Sequence, residues 1–371
     1  MKKLGFGSLR LPMLADGSID MDLYTKMIDR FLEKGFCYFD TAYEYGGGQA
    51  EPALRKALVE RHPRDSFVLT TKISNEFLRN EQEQEDRFNE QLERLGVDYL
   101  DYYLIHHLGE STLDITRDLH TIEFLQKKKA EGKVKHIGFS FYDKPELLDK
   151  ILTEHPEFDM VQMQINYLDW GNSSIPSRQC WEICRKHDKP IFVMEPSKGG
   201  ILTFPPKEAE QILKIADPTR SNVAWALRFA ASREGVQIVL SGMNAMDQLE
   251  DNMNTLADDV ELSQMELNIM KGVGEIIKKT TKIPCTGCRY CTMGCPQQIP
   301  IPDYFALYKD GSPKAQAKYQ EMIKTHTPAS ACLKCHTCES HCPQHIDIPS
   351  WMEVIADTFE GTGMSGARGL K

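Results

Sequence analysis

GFCYFDTAYEYG, residues 35–46, opens as a short apolar run and passes into a polar loop. The run reads as a buried strand ending at Asp40, and TAYEYG as the loop after it. Seven further runs of this kind lie in the first 260 residues: KLGFGSL (3–9), FVLTTKI (67–73), DYYLIHH (101–107), HIGFS (136–140), MVQMQIN (160–166), PIFVMEP (190–196) and QIVLSG (237–242). Longer amphipathic segments separate them. DMDLYTKMIDRFLEKG puts Leu23, Met27, Phe31 and Leu32 on one helical face and stops at Gly35, and EDRFNEQLERLG and NVAWALRFAASREG behave alike. Eight strand–helix units in roughly 250 residues predict an α/β fold closed into a (β/α)8 TIM barrel, not an open doubly wound sheet. The G-x-G-x-x-G dinucleotide fingerprint follows none of the runs; LGFGSL matches it only in part and reads as a plain first strand.

Functional side chains of such barrels stand at the C-terminal ends of the strands. That rule collects Asp40 and the following Tyr45, Lys72, His106, Ser140 and Gln162 on one rim. FDTAYEYGGGQAE (39–51), TTKIS (70–74), DYYLIHH and GKVKHIGFS (132–140) resemble the motifs of the aldo-keto reductase family, in the same order and on the same strands, over most of residues 1–258. The resemblance implies a catalytic tetrad of Asp40, Tyr45, Lys72 and His106, with His107 at the family's tryptophan position shaping the pocket. It also implies hydride transfer between NAD(P)H and a small carbonyl or alcohol. The chemistry asks for these residue types. A free tyrosine titrates near pH ~10, so close to neutrality an adjacent cation must stabilise its anion. Lys72 supplies that charge, Asp40 holds it, and His106 orients the substrate oxygen or shares the proton.

The family's nicotinamide contacts fall on Ser140 and Gln162, but Phe141 stands at its asparagine position and Met194 at its stacking aromatic. A thioether can still pack on a ring. After the eighth strand Gly242, Met243 and Gln248 replace the basic side chains that grip the 2′-phosphate of NADP, while Asp251 and Asn252 match the adenosine side. NADH and NADPH both stay open. So does a flavin, because barrels hold phosphates through loops that short motifs describe poorly.

CTGCRYCTMGCP (285–296) returns as CLKCHTCESHCP (332–343), and the two stretches hold eight of the chain's eleven cysteines. Each has the form C-x2-C-x2-C-x3-C-P. Three ligands two residues apart wrap one cuboidal iron–sulfur cluster, and the fourth, before proline, ligates the other cluster in two-cluster proteins. This assigns Cys285, Cys288, Cys291 and Cys342 to one [4Fe-4S] cluster and Cys332, Cys335, Cys338 and Cys295 to a second. Zinc sites use C-x2-C pairs separated by a longer loop and fit the doubled pattern poorly. The repeat continues: CPQQIPIPDYFALY matches CPQHIDIPSWMEVI, with Asp303 and Ser350 as expected N-caps of amphipathic helices. GSPKAQAKYQEMIKTHTP reads as a third helix, capped by Ser312, with Pro313 at its first position and Pro328 as its stop. Residues 283–357 resemble the α-helical ferredoxins, such as those built into succinate dehydrogenase and heterodisulfide reductase.

The expected organisation is a barrel over 1–260, a linking helix over 261–282, a ferredoxin domain over 283–357 and a flexible tail over 358–371. Cys37, Cys180 and Cys184 read as buried free thiols, EQEQED as a solvated helix face and LTFPPKEAE as a loop able to help close the pocket. A net charge of −10 argues against a nucleic-acid partner, which needs a basic face. MKKLGFGSLRLPM lacks the apolar run of a signal peptide, and no stretch approaches the ~20 apolar residues of a membrane helix. These readings place the chain in the cytoplasm, where clustered cysteines bind metal or do redox work. An external ferredoxin-like donor or acceptor is the expected electron partner.

Overall fold

The computed structural model describes residues 1–361, so ten of the fourteen residues expected as a flexible tail, 362–371, lie outside the described residues. The chain forms two compact units. One takes residues 1–198 and 202–276; the other takes 199–201 and the chain from Ile277 onward.

In the first unit, strands β1 (Leu4–Gly7), β2 (Tyr38–Asp40), β3 (Val68–Ile73), β4 (Leu100–Ile105), β5 (Val134–Phe141), β6 (Met160–Gln164), β7 (Ile191–Met194) and β8 (Val236–Ser241) close in chain order. Every pairing is parallel, and β1 joins β8 with Gly5 opposite Leu240. Side chains alternate between two faces. Inward ones include Tyr38, Leu104, Met160, Phe192, Met194, Ile238 and Leu240, which form one apolar cluster. Outward ones meet the helices: Phe6 and Phe39 pack with Phe31 at ring separations of 5.5 and 5.4 Å. Large inward rings need gaps beside them. A Cβ on Gly5 would come within 2.9 Å of Tyr38 and Ile238.

The first helix, Met21–Glu33, buries Tyr24, Met27, Ile28 and Phe31; Leu23 and Leu32, expected on the buried face, lie at its margins and are only half-buried. The cause is spacing: Tyr24, Met27, Ile28 and Phe31 follow the i, i+3, i+4, i+7 stripe without a gap. β4 stops at Ile105, so His106 and His107 lie beyond the strand on which they were expected. His107 has φ +58, a left-handed conformation that a strand cannot contain.

The second unit contains helices and no strand among the described residues. Its sequence repeat is also a backbone repeat. Left-handed residues recur 47 positions apart: Gly287 and Lys334 at φ 71 and 53, Arg289 and His336 at 68 and 59, Gln298 and His345 at 53 and 49. Each half has a one-turn helix (Tyr290–Met293, Thr337–Ser340) followed by a longer one (Ile301–Asp310, Ile348–Glu360). The longer helices begin two residues before the expected caps. Pro302 and Pro349 sit in their first turns, where the absent N–H costs nothing. Asp303 pairs instead with Arg289, at 2.7 and 2.8 Å, and Asp347 accepts from the Ser350 N–H at 3.1 Å. The helix Pro313–Met322 is capped by Ser312, as expected, and ends before Pro328. Tyr304, Phe305, Tyr319, Ile348, Ile355 and Phe359 fill the centre. The last helix runs to Glu360, into the segment expected as tail, and Gly361 ends it at φ 71. Helix Gln264–Thr280 spans the boundary between the units.

Gly138 faces the barrel interior, where a Cβ would lie 2.7 Å from the Met160 carbonyl oxygen and closer still to its sulfur. Backbone cannot yield cheaply there. Gly138→Ala should cost about 1–3 kcal/mol through overpacking. Thermal unfolding followed by far-UV circular dichroism should show the barrel transition lowered by several degrees.

Candidate active site and cysteine cavities

Inward parity carries Asp40, Lys72, Ser140 and Gln162 to the C-terminal mouth of the barrel. Lys72 is wholly buried and Asp40 nearly so. Lys72 Nζ donates to Asp40 Oδ1 at 2.6 Å and to the Thr41 carbonyl at 2.8 Å. Gln162 Nε2 donates to the other carboxylate oxygen at 3.0 Å. The ammonium, held at two of its donors, stands 5.0 Å from the centroid of the Tyr45 ring. Tyr45 is 7% exposed and lies in a loop that turns through Gly46, Gly47 and Gly48 at φ 60, 63 and 84. Three consecutive positive φ values are cheap only for glycine. Arg94 pins the loop by donating to the carbonyls of Tyr43 and Gly48.

His106 meets Tyr45 edge-on, with ring centroids 5.9 Å apart at 76°. Asp40, Tyr45, Lys72 and His106 are thus brought together. His106 Nδ1 lies 3.0 Å from Ser74 Oγ and 3.5 Å from Glu44 Oε2. The second contact is a charge pair longer than a close hydrogen bond, and the Ser74 hydroxyl also lies against the Glu44 carboxylate. Burial pushes the Glu44 carboxyl up. The facing His106 nitrogen and its charge, together with the Ser74 hydroxyl, outweigh it and hold the group below its usual range. Sequence reading passed over Glu44 and Ser74. Their only signals are adjacency to Tyr45 and to the end of β3.

The residues expected at the nicotinamide are spread over more roles. Ser140 Oγ accepts from the His107 N–H at 2.8 Å, so it braces the turn after β4. Phe141 faces outward toward Phe139 and lies off the mouth. Met194 belongs to the inward cluster. Gly242, just past β8, sits against Arg10: a Cβ there would be 3.4 Å from the arginine Cβ. Arg10 is a basic residue on the loop after β1 that reading of the eighth strand alone does not reveal. Gln248, Asp251 and Asn252 share helix Met246–Thr255. Each has a partner inside the fold: Gln248 accepts from the Asn244 N–H, Asp251 from Ser221 Oγ at 2.6 Å, and Asn252 donates to Ser241 Oγ at 3.0 Å.

In the helical unit the cysteines line two cavities. One is bounded by Cys285, Cys288, Cys291 and Cys342; the other by Cys295, Cys332, Cys335 and Cys338. Each run therefore lends its last cysteine to the cavity of the other. None of the eleven cysteines is in a disulfide. Among the described residues no three Cys, His, Asp or Glu side chains are gathered closely enough to hold a single metal ion. The eight thiols instead line two pockets, four to each. Cys180 and Cys184 are buried in helix Ser177–Lys186, and Cys184 Sγ lies 3.9 Å from Met163 Sδ. Burial pushes both thiols up, Cys180 to about 12.

A parallel (β/α)8 barrel followed by a helical unit with eight paired cysteines defines the class. The pattern of the aldo/keto reductase family matches residues 3–275, and that of a 4Fe-4S dicluster domain matches 284–346. The chain belongs to the aldo/keto reductase family of oxidoreductases and carries a 4Fe-4S dicluster domain after the barrel. It is 24% identical to an NADH-specific methylglyoxal reductase of Escherichia coli over 71% of its length and 91% of the relative's. It is likewise 24% identical to L-galactose dehydrogenase of Arabidopsis thaliana, over 75% and 92%. Among solved structures, an aldo-keto reductase from Klebsiella pneumoniae in complex with NADPH superposes with a TM-score of 0.59 at 20% identity, over 76% of this chain and 93% of that one. No described helix is long and apolar enough to cross a membrane.

Removing one member of a buried ion pair strands the other. Lys72→Met should destabilise the barrel by about 3–5 kcal/mol, and Asp40→Asn in the same chain should recover most of that loss. Guanidinium unfolding of the two single variants and the double variant measures the coupling.

Proposed function

We propose that this protein interconverts a small carbonyl compound and its alcohol at the barrel mouth with a nicotinamide cofactor, and that its helical unit carries two [4Fe-4S] clusters. One observation carries the first half: the buried Asp40–Lys72 pair lies beneath the Tyr45 ring, with His106 at the ring's edge. When bound, NAD(P)H supplies the hydride for the carbonyl carbon. Tyr45 gives the oxygen its proton in reduction and takes it back in oxidation. Lys72 stabilises the phenolate left behind, and Asp40, fixed by Gln162, keeps the ammonium in place. His106 donates to the substrate oxygen. The amide oxygen of Gln162 would meet the carboxamide, and Met194 the ring face. Arg10, beside Gly242, offers the positive charge that Gln248 and its neighbours do not. The second reading is a flavin at the same mouth, since barrels hold phosphates through loops rather than short motifs.

The two cysteine cavities support the cluster assignment. Cys285, Cys288, Cys291 and Cys342 would hold one cluster, and Cys332, Cys335, Cys338 and Cys295 the other. Such clusters pass one electron at a time, whereas a nicotinamide passes a hydride. The clusters on this reading trade electrons with an external ferredoxin-like protein, and a cytoplasmic location follows from the need to keep eight thiols reduced.

Anaerobically purified protein should contain about eight iron and eight acid-labile sulfide per chain. Zinc without sulfide overturns the cluster reading, and a flavin spectrum decides for the second occupant of the barrel. Fluorescence titration with NADH and NADPH should give saturable binding of at least one. Tyr45→Phe should keep that binding and lose roughly 10²–10⁴ in turnover of any carbonyl the protein reduces. Full turnover in this variant removes Tyr45 from the role of acid.

A further inference from the structure

A carboxylate can only accept hydrogen bonds, and a neutral imidazole has one donor nitrogen and one acceptor. Those two facts give the contacts of His106 a meaning beyond the tetrad. Its Nδ1 faces Glu44 Oε2 at 3.5 Å and Ser74 Oγ at 3.0 Å. Glu44 is largely buried, with 11% of its side chain exposed, and its carboxylate faces His106 and the Ser74 hydroxyl. We infer that Glu44, with Ser74, pins the ring proton of His106 on Nδ1, so that Nε2 can donate to a substrate oxygen only when the whole ring is an imidazolium. This inference rests on the carbonyl-reductase reading. Glu44 and Ser74 are positioning residues, and they make His106 a charged donor.

The surroundings agree. From the loop after β2 the ring meets Glu44 and Tyr45; from β3 it meets Ser74, and beyond Tyr45 lies Lys72, already neutralised by Asp40. His107, next along the chain, turns its ring to Tyr142. Behind Glu44 stands a second buried carboxylate, Glu51, beside Arg94 at 2.9 Å and bonded by Thr71 and Gln91. The two carboxyls are driven apart. Burial pushes Glu51 up, and the charge of Glu44 adds to that push, while Glu44 itself is held down by His106 and Ser74 despite its burial. Glu44 is therefore an anion across the neutral range, and loses that charge only as pH falls through its depressed titration.

The consequence is directional. A charged donor forms a hydrogen bond about twice as strong as a neutral one. In reduction, the hydride adds to the carbonyl carbon, Tyr45 passes its proton to the oxygen, and the imidazolium Nε2–H stabilises the negative charge as it develops. No proton leaves His106. At alkaline pH the ring becomes neutral with its proton still on Nδ1, and the donor at Nε2 is gone. In the Glu44→Gln variant an amide N–H can face Nδ1, so a neutral ring can carry its proton on Nε2.

The test joins kinetics to a direct view of the ring, both on the full-length protein. Wild-type carbonyl reduction should decline toward alkaline pH by roughly tenfold, the worth of one charged donor. Glu44→Gln should be slower by a similar factor at low pH and flat as pH rises, and Glu44→Asp should restore the slope. A Glu44→Gln profile parallel to the wild type overturns the inference, because a merely structural role lowers the rate without changing its pH dependence. Nitrogen-15 spectra of histidine-labelled protein, with His106→Gln to assign the signal, give the second readout. At alkaline pH the wild-type ring should show a protonated Nδ1 and a bare Nε2, and Glu44→Gln should exchange them. A wild-type ring protonated on Nε2 overturns the inference whatever the kinetics. If the spectra behave as expected and no carbonyl is turned over, the reductase reading fails and the assignment of Glu44 stands.

Discussion

One ion pair organises the mouth of this barrel. Moving an ammonium and a carboxylate out of water costs several kcal/mol for each ion, and their attraction offsets that only where the remaining hydrogen-bonding capacity is used. Lys72 and Asp40 meet the condition. The carboxylate accepts at both oxygens, from Lys72 and Gln162, and the ammonium also reaches the Thr41 carbonyl. These bonds tie β2, β3 and β6 together across the barrel interior. They also fix the start of the loop that carries Tyr45. The remaining freedom of that loop is taken up by three glycines and by Arg94. A shift of any one strand end would leave a buried charge unsatisfied, so the arrangement admits little variation.

Much of this is legible in the sequence because strand parity is a hard constraint. Once β2 is placed, Asp40 shares a face with Tyr38, and Lys72 shares one with Thr70, whose hydroxyl donates to Tyr38. The barrel, its strand order and the meeting of Asp40, Tyr45, Lys72 and His106 all follow from apolar runs and their ends. Other features escape. Glu44 and Ser74 belong to no pattern, since a buried charge in a loop is recognised only from what surrounds it. Ser140, Asp251 and Asn252 match a family pattern as letters, yet each makes a bond within the polypeptide. Phe141 is settled by parity, which turns it toward the helices. Arg10 lies over 230 residues from Gly242 in the chain, and closure of the sheet alone brings them together.

In the helical unit spacing carries almost everything. The expected crossed sharing of Cys295 and Cys342 is written in the position of the fourth cysteine, and each lines the pocket of the other run's first three cysteines. The helix starts are less readable. Proline and aspartate both signal a first turn, and the two prolines set the start earlier than Asp303 or Ser350 would. Cys180 and Cys184 show the opposite case. Two thiols on one helix look suggestive, but burial keeps them protonated and inert.

The two halves of that unit are not equal in their backbone. Where the first half has Gly287 at φ 71, the second has Lys334 at φ 53. Glycine enters the left-handed region freely, and another residue gives up about 1–2 kcal/mol to stay there. Arg289 and Gln298 carry that cost in the first half as His336 and His345 do in the second, so the two halves differ by one residue. The second loop holds one left-handed side chain more against its local preference. Two stretches of one spacing and one backbone geometry thus differ in what that geometry costs to hold.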